Sequence, residues 1–100
     1  MSGPELVDCG EGRFQLCGEL NMRTVPDLYR ASAGFVVGHP RVRVDLAEVH
    51  HTDSAGLALL IEWMREARDR NVDIAFQHLP DQLLRIARAS GLADILPVTD

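Results

Sequence analysis

Between Arg41 and Phe76 the spacing of apolar residues changes twice, and that change constrains the fold more than any other feature of the chain. In "RVRVDLAEV" the residues Val42, Val44 and Leu46 recur every second position, with Arg41, Arg43 and Asp45 between them. This is the period of a strand with one apolar side. From Ser54 to Asn71 the period becomes helical, with Leu57, Leu60, Ile61, Met64 and Ala67 on one stripe. "VDIAF" then returns to alternation through Val72, Ile74 and Phe76. A helix of that length between two strands allows them to lie parallel, with the helix packed across them.

The flanking segments extend this unit. "ELVDC" and "RFQLCGEL" alternate on either side of "GEG", which predicts an antiparallel hairpin at the start of the chain. Asn21 is a candidate N-cap for a helix over about Arg23 to Ala33, with Pro26 in its first turn and Gly34 as its stop. "GHP" breaks the chain before the central strand. Pro80 and Asp81 open a last helix through Leu83, Leu84 and Ala87, which Gly91 and the apolar Leu92 close. The predicted order is β-β-α-β-α-β-α, an α/β fold with a mixed sheet and helices packed against it. One hundred residues with 46% apolar and 25% charged residues suit a single domain spanning residues 1–100.

Charge and motifs then remove function classes. The net charge is −5 and all ten cations are arginine, so the chain lacks the basic footprint of a nucleic-acid binder. The longest apolar run, Ala55 to Ile61, is too short to span a bilayer, and no leader-like start is present, so a cytoplasmic protein without direct membrane insertion is expected. Cys9 and Cys17, on neighbouring strands, are expected to be buried thiols. No glycine-rich phosphate loop or dinucleotide fingerprint occurs. His50 and His51 point to opposite sides of a strand, His39 sits in a loop and His78 at a strand end, so no metal site is expected. Ser54, His51 and Asp53 lie too close in sequence for a nucleophile, base and orienting acid in line, and no strained elbow surrounds the serine. Glu62 and Glu66 share an arginine-rich helix face and read as solvated charge. No catalytic residue, metal or cofactor is expected, and the chain reads as a non-enzyme.

What remains is "HHTDSAG", the mouth of the apolar helix. Thr52, Asp53 or Ser54 can accept a hydrogen bond from a first-turn amide, and Asp53 suits the positive end of the helix dipole. The same helix end is an anion-compatible surface, and Ala55 and Gly56 leave room for a partner's backbone. Leu59 and Trp63, four residues apart, flank the central stripe. They either extend the core under a neighbouring helix or anchor a partner.

Three stretches carry a resemblance. "CGEL", "VRVDLAEVHHTDSAGLALLIE" and "LLRIARASGLADILP" together resemble the STAS domain, and the likeness covers nearly the whole chain. It implies that Ser54 occupies the position of the family's phosphoacceptor or partner-contacting hydroxyl. It also implies one of two roles. In the first, similar to the MlaB-like STAS subunits, the chain binds and supports the cytoplasmic ATPase of a phospholipid-trafficking ABC transporter that maintains outer-membrane lipid asymmetry. The family's hydroxyl is there a threonine. In the second it is an anti-sigma-factor antagonist, whose partner is an anti-sigma factor with serine kinase activity that phosphorylates Ser54. Such antagonists commonly carry Asp after "GEL", where this chain has Asn21. The expected contact surface is His51, Thr52, Asp53, Ser54, Ala55 and Gly56, with Leu59 and Trp63 beside it, on a cytoplasmic protein attached to an inner-membrane complex. A small-anion sensor using the helix end is a third class.

Overall fold

A computed structural model describes residues 3–99. The elements run β1 (Glu5–Gly10), β2 (Arg13–Leu20), α1 (Val25–Ala31), β3 (Arg41–Thr52), α2 (Ser54–Asp69), β4 (Asp73–Gln77) and α3 (Asp81–Ala89). A 3₁₀ turn at Ala93–Ile95 and a two-residue strand, β5 (Val98–Thr99), follow. The five strands form one sheet in the order β1-β2-β3-β4-β5. The β1–β2 hairpin is antiparallel, and every later pairing is parallel. The predicted order of elements is therefore present. The turn and β5 are additions whose few residues are too short to carry a period.

One face of the sheet is apolar. Phe14, Leu16, Leu20, Val42, Val44, Leu46, Ile74 and Phe76 project from it into a core shared with Leu28 of α1, Leu57, Leu60 and Ala67 of α2, and Leu83 and Ala87 of α3. The alternate residues Arg13, Gln15, Arg41, Arg43, Asp45, Asp73 and Gln77 are exposed or half-buried on the open face. Such a division suits a sheet covered on one side only.

Strand β3 runs three residues past the predicted stretch. Its register with β2 slips twice, from Gln15↔Asp45 to Cys17↔Glu48 and from Gly18↔Val49 to Glu19↔His51. Each slip places an extra residue on β3, a bulge that resets which side chains face the core. The buried sequence Leu46, Val49, Thr52 follows. Strict alternation fails there, which is why the apolar pattern alone ends the strand early.

The helix ends follow local chemistry. Gly91 (φ 71°) closes α3: the amide of Leu92 donates to the Ala87 carbonyl at 2.8 Å, as the last turn requires. Asn71 (φ 57°) ends α2 the same way, with Val72 N donating to Ala67 O at 2.8 Å. Helix α1 is shorter than expected at both ends. Asn21 Oδ1 accepts from the amides of Arg23 and Thr24, and Thr24 Oγ1 accepts from the amide of Asn21. Asn21 thus caps a turn ahead of the helix, and Pro26 stands in the first turn of the helix proper. The thiols also differ from expectation: Cys9 is exposed and Cys17 half-buried, both free, because Cys9 lies at the bulged end of edge strand β1 and Cys17 alternates with the core-facing Leu16. Burial, followed by the charge of Glu48, raises the Cys17 pKa.

Candidate functional site

The parallel strands β2, β3 and β4 end at one edge of the sheet, where open α/β sheets place their binding residues. The β3–α2 junction is fixed there from three directions. Asp53 N donates to Leu20 O at 3.0 Å, tying the junction to the end of β2. Thr52 N donates to Gln82 Oε1 at 3.1 Å, tying it to α3. Asp53 Oδ1 accepts from Ala55 N at 2.7 Å and caps α2. The cap is therefore Asp53 and neither Thr52 nor Ser54. Ser54 is the first helical residue, it is exposed, and among the described residues its hydroxyl makes no hydrogen bond. A rigid frame thus presents an unengaged hydroxyl.

Gly56 has a packing role. A Cβ built on it would lie 2.1 Å from Thr52 Oγ1 and 3.3 Å from Leu20 Cβ. The first turn of α2 seats directly on the ends of β2 and β3, and only glycine permits that approach. Gly56 and Thr52 are both buried, and Thr52 Oγ1 donates to Asp53 O at 3.1 Å.

Four residues leave the expected contact surface for that reason. Thr52 (1% exposed) and Gly56 are interior. Leu59 and Trp63 also belong to the core, Trp63 at 1% exposure. The Trp63 ring packs edge-on against Phe35 at 4.9 Å, and Phe35 against Phe14 at 5.0 Å, an aromatic row beneath the segment after α1. The apolar stripe of α2 is wider than a single seam, because α1, α3 and the sheet all pack on it.

The anion-compatible helix end is also corrected. Ala55 N is taken by the Asp53 carboxylate and Gly56 N by the Asp53 carbonyl at 3.0 Å. The carboxylate stands where an anion would approach, so this end offers no open amide cradle. The histidines are placed apart: His78 Nδ1 lies 2.9 Å from Asp45 Oδ1, and His39 stacks edge-on to Phe14. Among the described residues no group of three or more His, Cys, Asp or Glu could hold a metal.

The exposed surface at this edge is His51, Ser54 and Ala58, with Asp53 and Ala55 half-buried between them. Sequence reasoning missed Met22. It lies in the β2–α1 turn, two residues after the Leu20 that binds Asp53, and at 77% it is the most exposed large apolar side chain among the described residues. A methionine in a polar turn, where no core stripe claims it, was the available signal. This edge carries a free hydroxyl and one carboxylate, with an exposed apolar side chain in the turn that follows β2. No described helix is long and apolar enough to cross a membrane.

Comparison with known proteins bears on the family and the fold. The family model described as "Mlab, STAS domain" matches residues 8–97. The intermembrane phospholipid transport system binding protein MlaB of Haemophilus influenzae is 31% identical over 83 residues, 79% of this chain and 79% of that protein. The anti-sigma-B factor antagonist of Listeria monocytogenes is 29% identical over 89 residues, 83% of this chain and 74% of that protein. Among solved structures, the unphosphorylated anti-sigma factor antagonist SpoIIAA superposes with a TM-score of 0.73 at 15% identity, covering 98% of this chain and 89% of that one. A chain of the Acinetobacter MlaFEDB complex in its ATP-bound conformation gives 0.73 at 22%, covering 87% and 93%. At those identities the two structures establish the shared fold.

Proposed function

Since the chain belongs to the STAS domain family, we propose that it is a non-catalytic docking subunit for the cytoplasmic ATPase of an Mla-type phospholipid-transport ABC system. The observation that carries this reading is the Ser54 hydroxyl, which is exposed and unengaged at the first position of α2 while Asp53 does the capping. A hydroxyl with no structural duty, in a rigid frame, is free to bond a partner and fix its register. Met22, exposed in the turn that follows the Leu20 bonded to Asp53, supplies an apolar contact, and His51 and Asp53 form a polar rim. The 31% identical MlaB relative, matched over most of both chains, supports the transport branch. On this reading the protein sits on the cytoplasmic side of an inner-membrane complex, held there through its partner.

The competing reading is an anti-sigma-factor antagonist, supported by the Listeria relative. In that case a kinase would place phosphate on Ser54 and release the partner. One feature of the site favours transport: Asn21 stands in place of the acid common in antagonists, with its carboxamide oxygen occupied by two amides. Affinity purification of tagged protein from its own host separates the readings. Recovery of an ABC ATPase with unmodified Ser54 supports transport. Recovery of a serine kinase with phosphate on Ser54 rejects it.

A further inference from the structure

The open face of the sheet carries a second concentration of chemistry, at the end of β3 away from Ser54. A cavity of about 410 Å³ opens there, lined by Arg13, Arg41, Arg43, Gln77, Thr99 and the Glu11–Gly12 turn. The register explains the clustering. Arg13 of β2 pairs with Arg43 of β3, so two arginines occupy directly opposed positions on adjacent strands. Arg41 pairs with Asp73.

Like charges on neighbouring strands repel, and a sheet keeps such a pair only with compensation. The compensation present is incomplete. Asp73 is shared by two arginines, 3.4 Å from Arg43 and 3.8 Å from Arg41. Arg13 forms no ion pair among the described residues. Of the seven lining residues three are arginine and only Glu11 is acidic, in a chain whose net charge is −5.

One of the lining arginines is set in a way that solvent exposure alone does not explain. Arg43 is the least exposed of the three arginines, and its Nη1 donates to Val42 O at 2.9 Å and Asp73 O at 3.1 Å. Its charge is therefore held in place.

We propose that this corner is a binding site for a phosphate-bearing anion, with Arg13 and Arg41 closing on it and Arg43 as a fixed charge. Arginine is the residue type that matches phosphate oxygens with paired N–H groups. The site is remote from the Ser54 surface and stands independently of the proposed docking role.

The test is calorimetric titration of the full chain in low-chloride buffer with inorganic phosphate and with glycerol 3-phosphate, and sedimentation with phosphatidylglycerol vesicles. Saturable binding of either soluble probe, weakened about tenfold by Arg13→Gln, is expected, on the scale of one lost charge-assisted hydrogen bond. Arg85→Gln, on the outer side of α3, should leave it unchanged. Amide shifts at Arg13, Arg41 and Thr99 should locate the ligand. Vesicle binding lost in Arg13→Gln would identify a lipid headgroup as the source, and binding of the soluble probes alone a free phosphate compound. No binding of any probe at millimolar concentration, or binding that Arg13→Gln leaves intact, would overturn the proposal. Unchanged circular dichroism of Arg13→Gln separates a lost contact from a lost fold.

Discussion

Gly56→Ala should destabilise the protein although it places alanine, the better helix former, inside α2. In an open helix the exchange gains about 0.8–1 kcal/mol. Here the new methyl would meet Thr52 Oγ1 at 2.1 Å, short of ordinary contact by more than an ångström, with Leu20 Cβ and Cδ1 at 3.3 Å. Thr52 has little room to give, being buried, donating through Oγ1 to Asp53 O and tied by its amide to Gln82. The first turn of α2 must lift from the sheet instead. Overpacking of a tight core costs about 1–3 kcal/mol, a clash this short belongs at the upper end, and the helix gain offsets about 1 kcal/mol of it, so a net loss near 2 kcal/mol is expected. For a domain of this size that lowers the midpoint by about 10 °C. Thermal unfolding followed by circular dichroism measures it. The control is Thr52→Ala, which removes the clashing oxygen. Gly56→Ala in that background should cost at least about 1 kcal/mol less than in the wild type. A midpoint raised by Gly56→Ala, or costs that simply add in the double variant, would refute the seating of α2 on Thr52.

Other expectations follow from the same edge and core. Asp53→Ala should cost about 1 kcal/mol by denaturant unfolding, the scale of a lost cap, while Ser54→Ala stays within about 0.5 kcal/mol. Equal costs would return a structural duty to Ser54. Trp63→Ala should lose about 3–5 kcal/mol, as a buried aromatic packed on Phe35 requires, and a near-neutral result would put the ring back on the surface. Cys17, its pKa raised by burial and then by Glu48, should alkylate more slowly than exposed Cys9 near neutral pH. Its rate should rise only as pH passes above the ordinary thiol range, and peptide mapping after timed iodoacetamide treatment reads both sites. Met22→Asp should weaken partner binding about tenfold with an unchanged unfolding midpoint, since the side chain packs on nothing it stabilises.

The elements with a clean period were legible in the chain. The alternation of Val42, Val44 and Leu46, the stripe of α2 and the Gly91 stop each depend on residues within one or two turns. The bulges of β3 were not legible, because Ala47 and Glu48 break the period for the sake of pairing with β2, a strand far away in sequence. Asn21 and Asp53 show the same limit at caps. Both are good capping residues, but which turn each one serves depends on where β2 and β3 end. At the candidate site the hydroxyl could be read from the motif and its surroundings could not. Leu59 and Trp63 fall beside the narrow stripe, and only the positions of α1 and of the sheet decide that this flank is interior. Met22 carries no period at all, so its exposure emerges only when the turn is folded beside α2.

In the proposed function a partner ATPase docks on the edge that presents Ser54. Calorimetric titration of the purified ATPase subunit with wild type, Ser54→Ala and Ser54→Glu is the decisive experiment. Saturable binding by wild type is expected, with a modest loss in Ser54→Ala and, in Ser54→Glu, loss of about two orders of magnitude from a charge driven into the contact, on the scale of an unpaired buried charge. Equal affinity of wild type and Ser54→Glu would contradict it and move the docking surface elsewhere on the domain.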